Sequence, residues 1–216
     1  MKAKLMGLTA LAALTATTAL ASTDATATTD LNMRSLPDPR GAIVDVIPAE
    51  AMVSVESCTT DAAWCKVMYD GKEGWAYSPY LTASVDSQPV VLYQNLDQVK
   101  VKTVDVSKDE KDTAAAVGGL TAGALAMSAI GGPVAVVGTA IAGAALGSAM
   151  VPEKTVTYVT ANPTQTVYVD GEVVVGAGVP EGVTLSAVPD SDYSYVYLNG
   201  TPVLVNSDRQ IVRIIR

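Results

Sequence analysis

Two cysteines are the side chains of this sequence with the most definite chemistry. Cys58 and Cys65 are the only cysteines, and they lie close together. In an exported chain, which the leader described below indicates, an even number of cysteines usually forms disulfides, and a thiolate metal site needs more ligands than two. We therefore predict a disulfide that closes a loop of about eight residues and leaves neither thiol as a nucleophile.

The absence of histidine removes most hydrolytic and zinc chemistry. A chain without histidine cannot build a Ser-His-Asp group, a Cys-His group or a His-based zinc site. Asp190 and Asp192 are the densest acidic pair outside a charged run, and their position after Pro189 indicates a loop. The composition still allows a Ser/Lys pair, but nothing selects one. We expect no enzyme activity, no cofactor and no metal.

The charge of the chain is acidic and dispersed. The formal net charge is −8, and it becomes about −10 once a leader carrying Lys2 and Lys4 is removed. Lysine and arginine form no cluster. Because a phosphate backbone or an anionic lipid surface attracts a basic patch, we expect no nucleic-acid partner.

The first 21 residues have the features of a signal peptide. Lys2 and Lys4 precede an apolar run, and Ala19-Leu20-Ala21 offers a small-x-small cleavage pattern. The run is too short and too rich in alanine and threonine for a membrane anchor, so we predict that residues 1–21 are cleaved. Residues 22–30 have no apolar period and are expected to form a flexible lead-in.

Short β-strands are predicted over residues 31–82. Apolar runs alternate with turns, and five short strands in about 55 residues indicate a small barrel. Asp70-Gly71 is a hairpin signal. The segments Leu31-Asn32-Met33-Arg34-Ser35, Trp64-Cys65-Lys66-Val67 and Gly71-Lys72-Glu73-Gly74-Trp75 resemble the bacterial SH3 domain. Arg34 is typical of that family and is expected to be structural.

The resemblance implies a groove that binds peptides of the bacterial cell wall. Aromatic grooves of SH3 domains hold extended peptides, and the candidate ligand-binding residues here are Tyr77, Tyr80, Trp75, Asp70 and Glu73. Core packing is the stronger expectation for Trp75, so the two tyrosines are the better groove residues. The two acidic side chains could meet amino groups of a stem peptide, although charges at hairpin tips are usually only solvated.

A connector over residues 83–113 leads to an uncharged segment, residues 114–151. The connector is expected to add at most an edge strand to either neighbour. Gly131-Gly132-Pro133 lies near the centre of the uncharged segment and favours a helical hairpin. Small residues four apart would let helices approach closely, and these are Gly119, Gly123, Gly143 and Gly147. The pattern is similar to glycine-zipper segments and predicts a membrane-inserted or self-associating hairpin; the alternative is a soluble helical pair.

Residues 155–216 return to β signals. Asp170-Gly171 and Asn199-Gly200 are signals for type I′ turns. The predicted strands are 155–160, 166–169, 172–176, 183–188, 195–198, 201–205 and 210–215. Segments 167–176 and 195–205 resemble a C-terminal domain of unknown function from exported bacterial proteins, and this resemblance implies no activity.

The sequence therefore predicts a mainly β protein with a small SH3-like barrel, an Ala/Gly-rich helical hairpin and a small C-terminal β-rich domain. The favoured function is an exported binding and scaffold protein of the periplasm or envelope membrane, whose SH3-like domain contacts peptidoglycan peptides. The alternative is a membrane-associated glycine-zipper protein that forms homo-oligomers or acts under stress, with accessory β-domains. An enzyme carried by the C-terminal domain is the least favoured hypothesis.

Overall fold

A computed structural model of the protein describes residues 22–106 and 151–216. In these residues the fold is mainly β, with an SH3-like β-domain followed by a β-rich C-terminal unit. The predicted signal peptide, residues 1–21, lies outside the described residues. So does the predicted glycine-rich hairpin apart from Val151, together with the four glycines of its proposed face, Gly119, Gly123, Gly143 and Gly147.

Nine strands, one α-helix and a 3₁₀ turn make up the first unit. In chain order these are β1 (Thr23–Ala27), β2 (Leu31–Arg34), β3 (Ile43–Ile47), β4 (Met52–Thr59), β5 (Trp64–Tyr69), β6 (Lys72–Tyr77), the 3₁₀ turn Ser78–Tyr80, β7 (Leu81–Val85), β8 (Gln88–Val91), α1 (Leu92–Val99) and β9 (Lys102–Val104). The strand order is β3-β2-β6-β5-β4-β1-β7-β8, with antiparallel neighbours. β9 pairs in parallel with the last residues of β4, beyond the start of β1, whose first residue pairs with Val55.

Residues 22–30 contain a strand and are not a flexible lead-in. β1 pairs with both β4 and β7. Its two inward positions, Ala25 and Ala27, are almost completely buried in the barrel core. Alanine gives a weak hydrophobic signal in a sequence, but its small side chain fits where strands approach closely. The lead-in prediction was therefore wrong over most of this segment.

The connector also contributes more than an edge strand. The strand β8 ends at Val91, and helix α1 begins at the next residue. Leu92 is completely buried in the barrel core, and Leu96 and Val99 pack against the same core. Asn95, with non-helical angles (φ −134°, ψ 24°), kinks the helix between Leu92 and Leu96, so only Leu96 and Val99, three residues apart, lie on one face of a continuous helical stretch. The helix ends at Lys100, which adopts a left-handed conformation with φ of 59°.

The predicted disulfide is confirmed. Cys58 and Cys65 face each other across β4 and β5 and are bonded. Both lie in the barrel core, which is otherwise formed mainly by aliphatic side chains that include Leu31, Met33, Ile47, Val55, Val67 and Leu81. The hairpin signal Asp70-Gly71 is confirmed as well, because the two residues have φ of 46° and 74°, as a type I′ turn requires.

The second unit has one helix and five short strands. These are α2 (Glu153–Ala161), β10 (Thr166–Val167), β11 (Ser186–Ala187), β12 (Ser194–Leu198), β13 (Thr201–Val205) and β14 (Ile211–Ile214). β10 runs parallel to β12, and the order continues through β13 to β14. Asn199 and Gly200, with φ of 49° and 79°, form the predicted type I′ turn between β12 and β13.

Two strands predicted in the C-terminal unit are absent from it. Residues 155–160 lie in helix α2, where Thr155 and Val159 are buried one helical turn apart. Their β-branched composition favours a strand, but tertiary packing selects the helix. Residues 172–176 belong to no strand, and Val175 and Gly176 lie in a turn. The preceding Asp170-Gly171 has a positive φ only at the glycine.

Candidate functional site

The outer face of β5 and β6 carries the side chains that could bind a ligand. Gly74 and Ala76 are buried, so the alternating residues Glu73, Trp75 and Tyr77 face outward. The register places Lys66 beside Trp75 and Trp64 beside Tyr77. This pairing puts one cation and three aromatic rings on a single face of the barrel.

Trp75 lines a groove of about 430 Å³. The groove lies between the segment after β2, the bulged part of β4, β5 and β6, and the end of β9. Its lining residues are Ser35, Leu36, Pro37, Glu56, Ser57, Lys66, Trp75, Val104, Asp105 and Val106. One wall therefore comes from the connector, because the parallel pairing of β9 with β4 brings residues 104–106 to this face.

The groove contains more negative than positive groups. The Lys66 ammonium lies 2.9 Å from a carboxylate oxygen of Glu73 and 3.4 Å from one of Glu56. The hydrogen bond to Glu73 is the main cause that raises the pKa of Lys66 above its usual value, while partial burial opposes it. Asp105 also lines the groove, so the site has three carboxylates and one ammonium group, and this charge favours a cationic ligand.

The structure separates the five predicted binding residues into three places. Trp75 is half-buried in the groove, in contrast to the stronger expectation that it would pack in the core. Glu73 is held at the groove by its ion pair with Lys66. Asp70 is exposed at the tip of the β5–β6 hairpin. Tyr77 and Tyr80 do not line the groove and belong to a different cluster.

That cluster consists of Trp64, Tyr77 and Tyr80. The ring centroids of Trp64 and Tyr77 are 5.3 Å apart and those of Tyr77 and Tyr80 are 6.0 Å apart. Both tyrosines also pack against the barrel core. Burial raises the pKa of the Tyr80 hydroxyl to about 12, and burial is likewise the main cause of the raised pKa of Tyr77.

Three residues of the groove were not singled out from the sequence. Lys66 could have been found, because it lies two positions from Trp64 on a predicted strand that pairs with the strand of Trp75. Glu56 precedes a register shift in β4, which no local pattern reveals. Asp105 reaches the groove only through the parallel pairing of β9, a contact between segments far apart in sequence.

Over residues 22–106 and 151–216, no group of three or more Cys, Asp or Glu side chains is arranged to hold a metal ion. Asp190 and Asp192 are exposed loop residues. None of the helices in the same ranges is long and apolar enough to span a bilayer.

Comparison with known proteins identifies both domains. The family described as bacterial SH3 domain matches residues 29–82, and the family described as domain of unknown function DUF1236 matches residues 158–216. No curated protein matches the chain significantly. Among solved structures, the structure of NlpC1 from Trichomonas vaginalis is 24% identical over 28% of this chain and 22% of that chain, with a TM-score of 0.27.

The comparisons agree with the two resemblances read from the sequence and leave β8, α1 and β9 outside both matched ranges. Both families and the Cys58–Cys65 disulfide are consistent with an exported protein. The chain thus carries a bacterial SH3 domain followed by a C-terminal DUF1236 domain.

Proposed function

We propose that the protein is an exported, non-catalytic binding protein of the periplasm, and that its SH3 domain contacts peptidoglycan peptides in the groove beside Trp75. The observation that carries this proposal is the half-buried indole in a groove of about 430 Å³. An aromatic surface along a groove suits an extended peptide. The lack of histidine in the sequence supports a role without catalysis.

The ligand is expected to present a free amino group. Glu56 and Glu73 share the single ammonium of Lys66, and Asp105 adds a third carboxylate. Peptides of the cell wall can carry free amino groups on their stems or cross-bridges, which this groove would attract. Exposed ion pairs contribute only about 0–1 kcal/mol each, so the charges set the preference for the ligand and Trp75 supplies most of the affinity.

Co-sedimentation of the oxidised mature chain with purified peptidoglycan tests the proposal. We expect Trp75→Ala to lower the affinity at least about tenfold, because loss of an aromatic side chain at the centre of an interface commonly costs 1.4 kcal/mol or more. Tyr93→Ala is the matched control, since Tyr93 is also aromatic and 40% exposed but lies on α1, outside the groove.

Two further variants distinguish the groove from the neighbouring aromatic cluster. Glu73→Gln should weaken binding of amine-bearing peptidoglycan and have little effect after its amino groups are acetylated. Tyr77→Phe and Tyr80→Phe, combined in one chain, keep both rings and should bind normally. Wild-type protein that does not pellet, or equal losses in Trp75→Ala and Tyr93→Ala, would contradict the proposal. Circular dichroism verifies that each variant is folded.

A further inference from the structure

A segment of the C-terminal domain, residues 172–175, lies between the two domains. Along this segment, successive side chains alternate between them. Val173 is completely buried in the C-terminal core, whereas Val174 belongs to the core cluster of the barrel. Val175 packs again on the C-terminal core, and Glu172 turns toward the barrel. The segment thus contributes side chains to the packing of both domains.

Glu172 occupies a polar pocket on the outer face of β2. Its carboxylate forms a two-pronged ion pair with the Arg34 guanidinium, in which Nη2 donates to Oε1 over 2.7 Å and Nε donates to Oε2. The Asn32 side-chain amide donates to Oε1 over 3.0 Å. The other terminal nitrogen of Arg34, Nη1, donates to the Gly41 carbonyl over 2.7 Å. The barrel therefore orients the Arg34 guanidinium through Gly41, while the C-terminal domain adds contacts of its own: Arg34 Nη2 donates to the Asn199 carbonyl over 3.5 Å, and Arg216 donates to the Asn32 amide oxygen over 3.4 Å.

The pocket is buried only because the C-terminal domain covers it. In β2, Leu31 and Met33 face the barrel core, so the alternate residues Asn32 and Arg34 face outward. Yet the side chain of Arg34 is 2% exposed and that of Glu172 is 0% exposed. A charge buried without a partner costs several kcal/mol, whereas a well-hydrogen-bonded pair offsets that cost. The geometry matches carboxylate recognition by arginine, where two parallel hydrogen bonds fix the orientation.

A second contact between the domains is made by Tyr77, which belongs to the aromatic cluster of Trp64, Tyr77 and Tyr80. Gly171, with φ of 91°, lies so close to Tyr77 that a Cβ at this glycine would be 3.3 Å from the tyrosine ring. The positive φ favours glycine here, and a Cβ would make a tight contact with the tyrosine ring. The C-terminal segment therefore contacts Tyr77 of the aromatic cluster and fills the polar pocket at Arg34.

We propose that the segment 170–177 of the DUF1236 domain is an intramolecular ligand of the SH3 domain. Arg34 and Asn32 form a carboxylate-binding site on the barrel, Glu172 fills it, and Val174 fills the adjacent apolar site. A peptide that binds this face must carry a carboxylate followed two positions later by an aliphatic side chain. This inference is independent of the wall-binding groove, since Trp75 is not part of the covered face.

The test is whether the domains hold together after the covalent link is cut. Two protease sites are engineered into the full mature chain, one just after residue 107 and one just before residue 150, so that cleavage releases the intervening segment. Size-exclusion chromatography then asks whether fragments 22–107 and 150–216 elute as a complex. We expect the wild-type fragments to remain associated. Glu172→Gln should weaken their affinity by at least about 100-fold, because removing one partner of a buried pair costs 3–5 kcal/mol.

Glu181→Gln is the matched control, because Glu181 is an exposed glutamate of the same domain, and its fragments should associate as the wild type does. Separate elution of the wild-type fragments would overturn the proposal, and so would equal affinity of Glu172→Gln and wild type.

A second measurement on the uncut chain keeps the test valid if a variant folds poorly after cleavage. The only tryptophans of the sequence are Trp64 and Trp75, so tryptophan fluorescence reports on the barrel alone, whereas circular dichroism reports on both domains. In urea, the two signals should change together for wild type and separate for Glu172→Gln. Coincident transitions in both proteins would contradict the role of Glu172.

Discussion

The glycine that precedes Trp75 gives the sharpest test of how the barrel is packed. A Cβ added at Gly74 would lie 2.5 Å from Cγ of Met33, 3.1 Å from its Sδ and 3.0 Å from the backbone carbonyl oxygen of Arg34. Met33 is completely buried in the core, and the carbonyl belongs to β2, which pairs with β6 at this point. Neither neighbour has free space to yield.

We expect Gly74→Ala to destabilise the protein by about 1–3 kcal/mol, the usual cost of overpacking a filled core. For a chain of this size, each kcal/mol lowers the melting temperature by roughly 2–4 °C. Urea unfolding followed by tryptophan fluorescence measures the change in the free energy of unfolding directly. Because the added methyl group presses on the β2 backbone that carries Arg34, the same variant should also loosen the ion pair with Glu172.

Two other glycines separate this steric effect from the effect of backbone conformation. Gly71 has φ of 74° but no atom within 4 Å of the added Cβ, so Gly71→Ala should cost about 1–2 kcal/mol through the left-handed conformation alone. Gly182 has neither a positive φ nor a close neighbour, and Gly182→Ala should change stability by less than about 0.5 kcal/mol. If Gly74→Ala is as stable as Gly182→Ala, the packing explanation is wrong.

Two further predictions concern the disulfide and a buried tyrosine. Reduction of Cys58–Cys65, or its replacement by two alanines, should lower the free energy of unfolding by about 2.5 kcal/mol in the chain-entropy model, measured by urea unfolding with and without reductant; equal midpoints would refute it. The Tyr80 hydroxyl has its pKa raised to about 12 by burial, so the folded state retains a proton that the unfolded chain loses near pH 10. Stability contributed by the neutral hydroxyl is therefore present below pH 10 and is lost as the pH rises to 12, by at most about 3 kcal/mol. Tyr80→Phe should remove this part of the pH dependence between pH 9 and 12, and an unchanged slope would contradict it.

The parts of the fold that the sequence predicted correctly are those with strong local signals. Asp70-Gly71 and Asn199-Gly200 form their turns because few other residue pairs accept two positive φ angles in succession. The strand Thr201–Val205 has the predicted bounds, since its turn fixes one end and an asparagine follows the other. The disulfide needed only two cysteines and an oxidising compartment.

The errors arose where small or β-branched residues adopt a structure that distant contacts select. The alanines of β1 carry little hydrophobic signal, yet they fill a narrow part of the core. In α2, valines and threonines that favour strands are held in a helix by burial of Val159. The predictions for residues 1–21 and for the glycine-rich hairpin concern parts of the chain outside the described residues and stay predictions.

Distant contacts also decide which outward-facing residues of the candidate site a ligand can reach. Alternation along β6 predicts that Trp75 and Tyr77 both face outward, so it cannot tell which of them is available to a ligand. The difference comes from Gly171, which lies against Tyr77 from almost a hundred positions away. The wall of the groove at Trp75 likewise depends on β9, which lies outside the matched SH3 range.

The side chains of residues 172–175 contact the barrel and the C-terminal core in turn. The chain should therefore not tolerate an insertion or a deletion of one residue here. Deleting Glu172 would bring Val173 to the Arg34 guanidinium. Deleting Val173, with the following residues held in place, would shift Glu172 into the aliphatic core of the C-terminal domain, as a one-residue slip does in a sheet. Insertions and deletions should therefore be tolerated at exposed loop tips such as the turn around Asp190 and rejected here. Single-residue deletions at 172–174, compared with deletions at the exposed Asp190 turn, should therefore give much less folded protein.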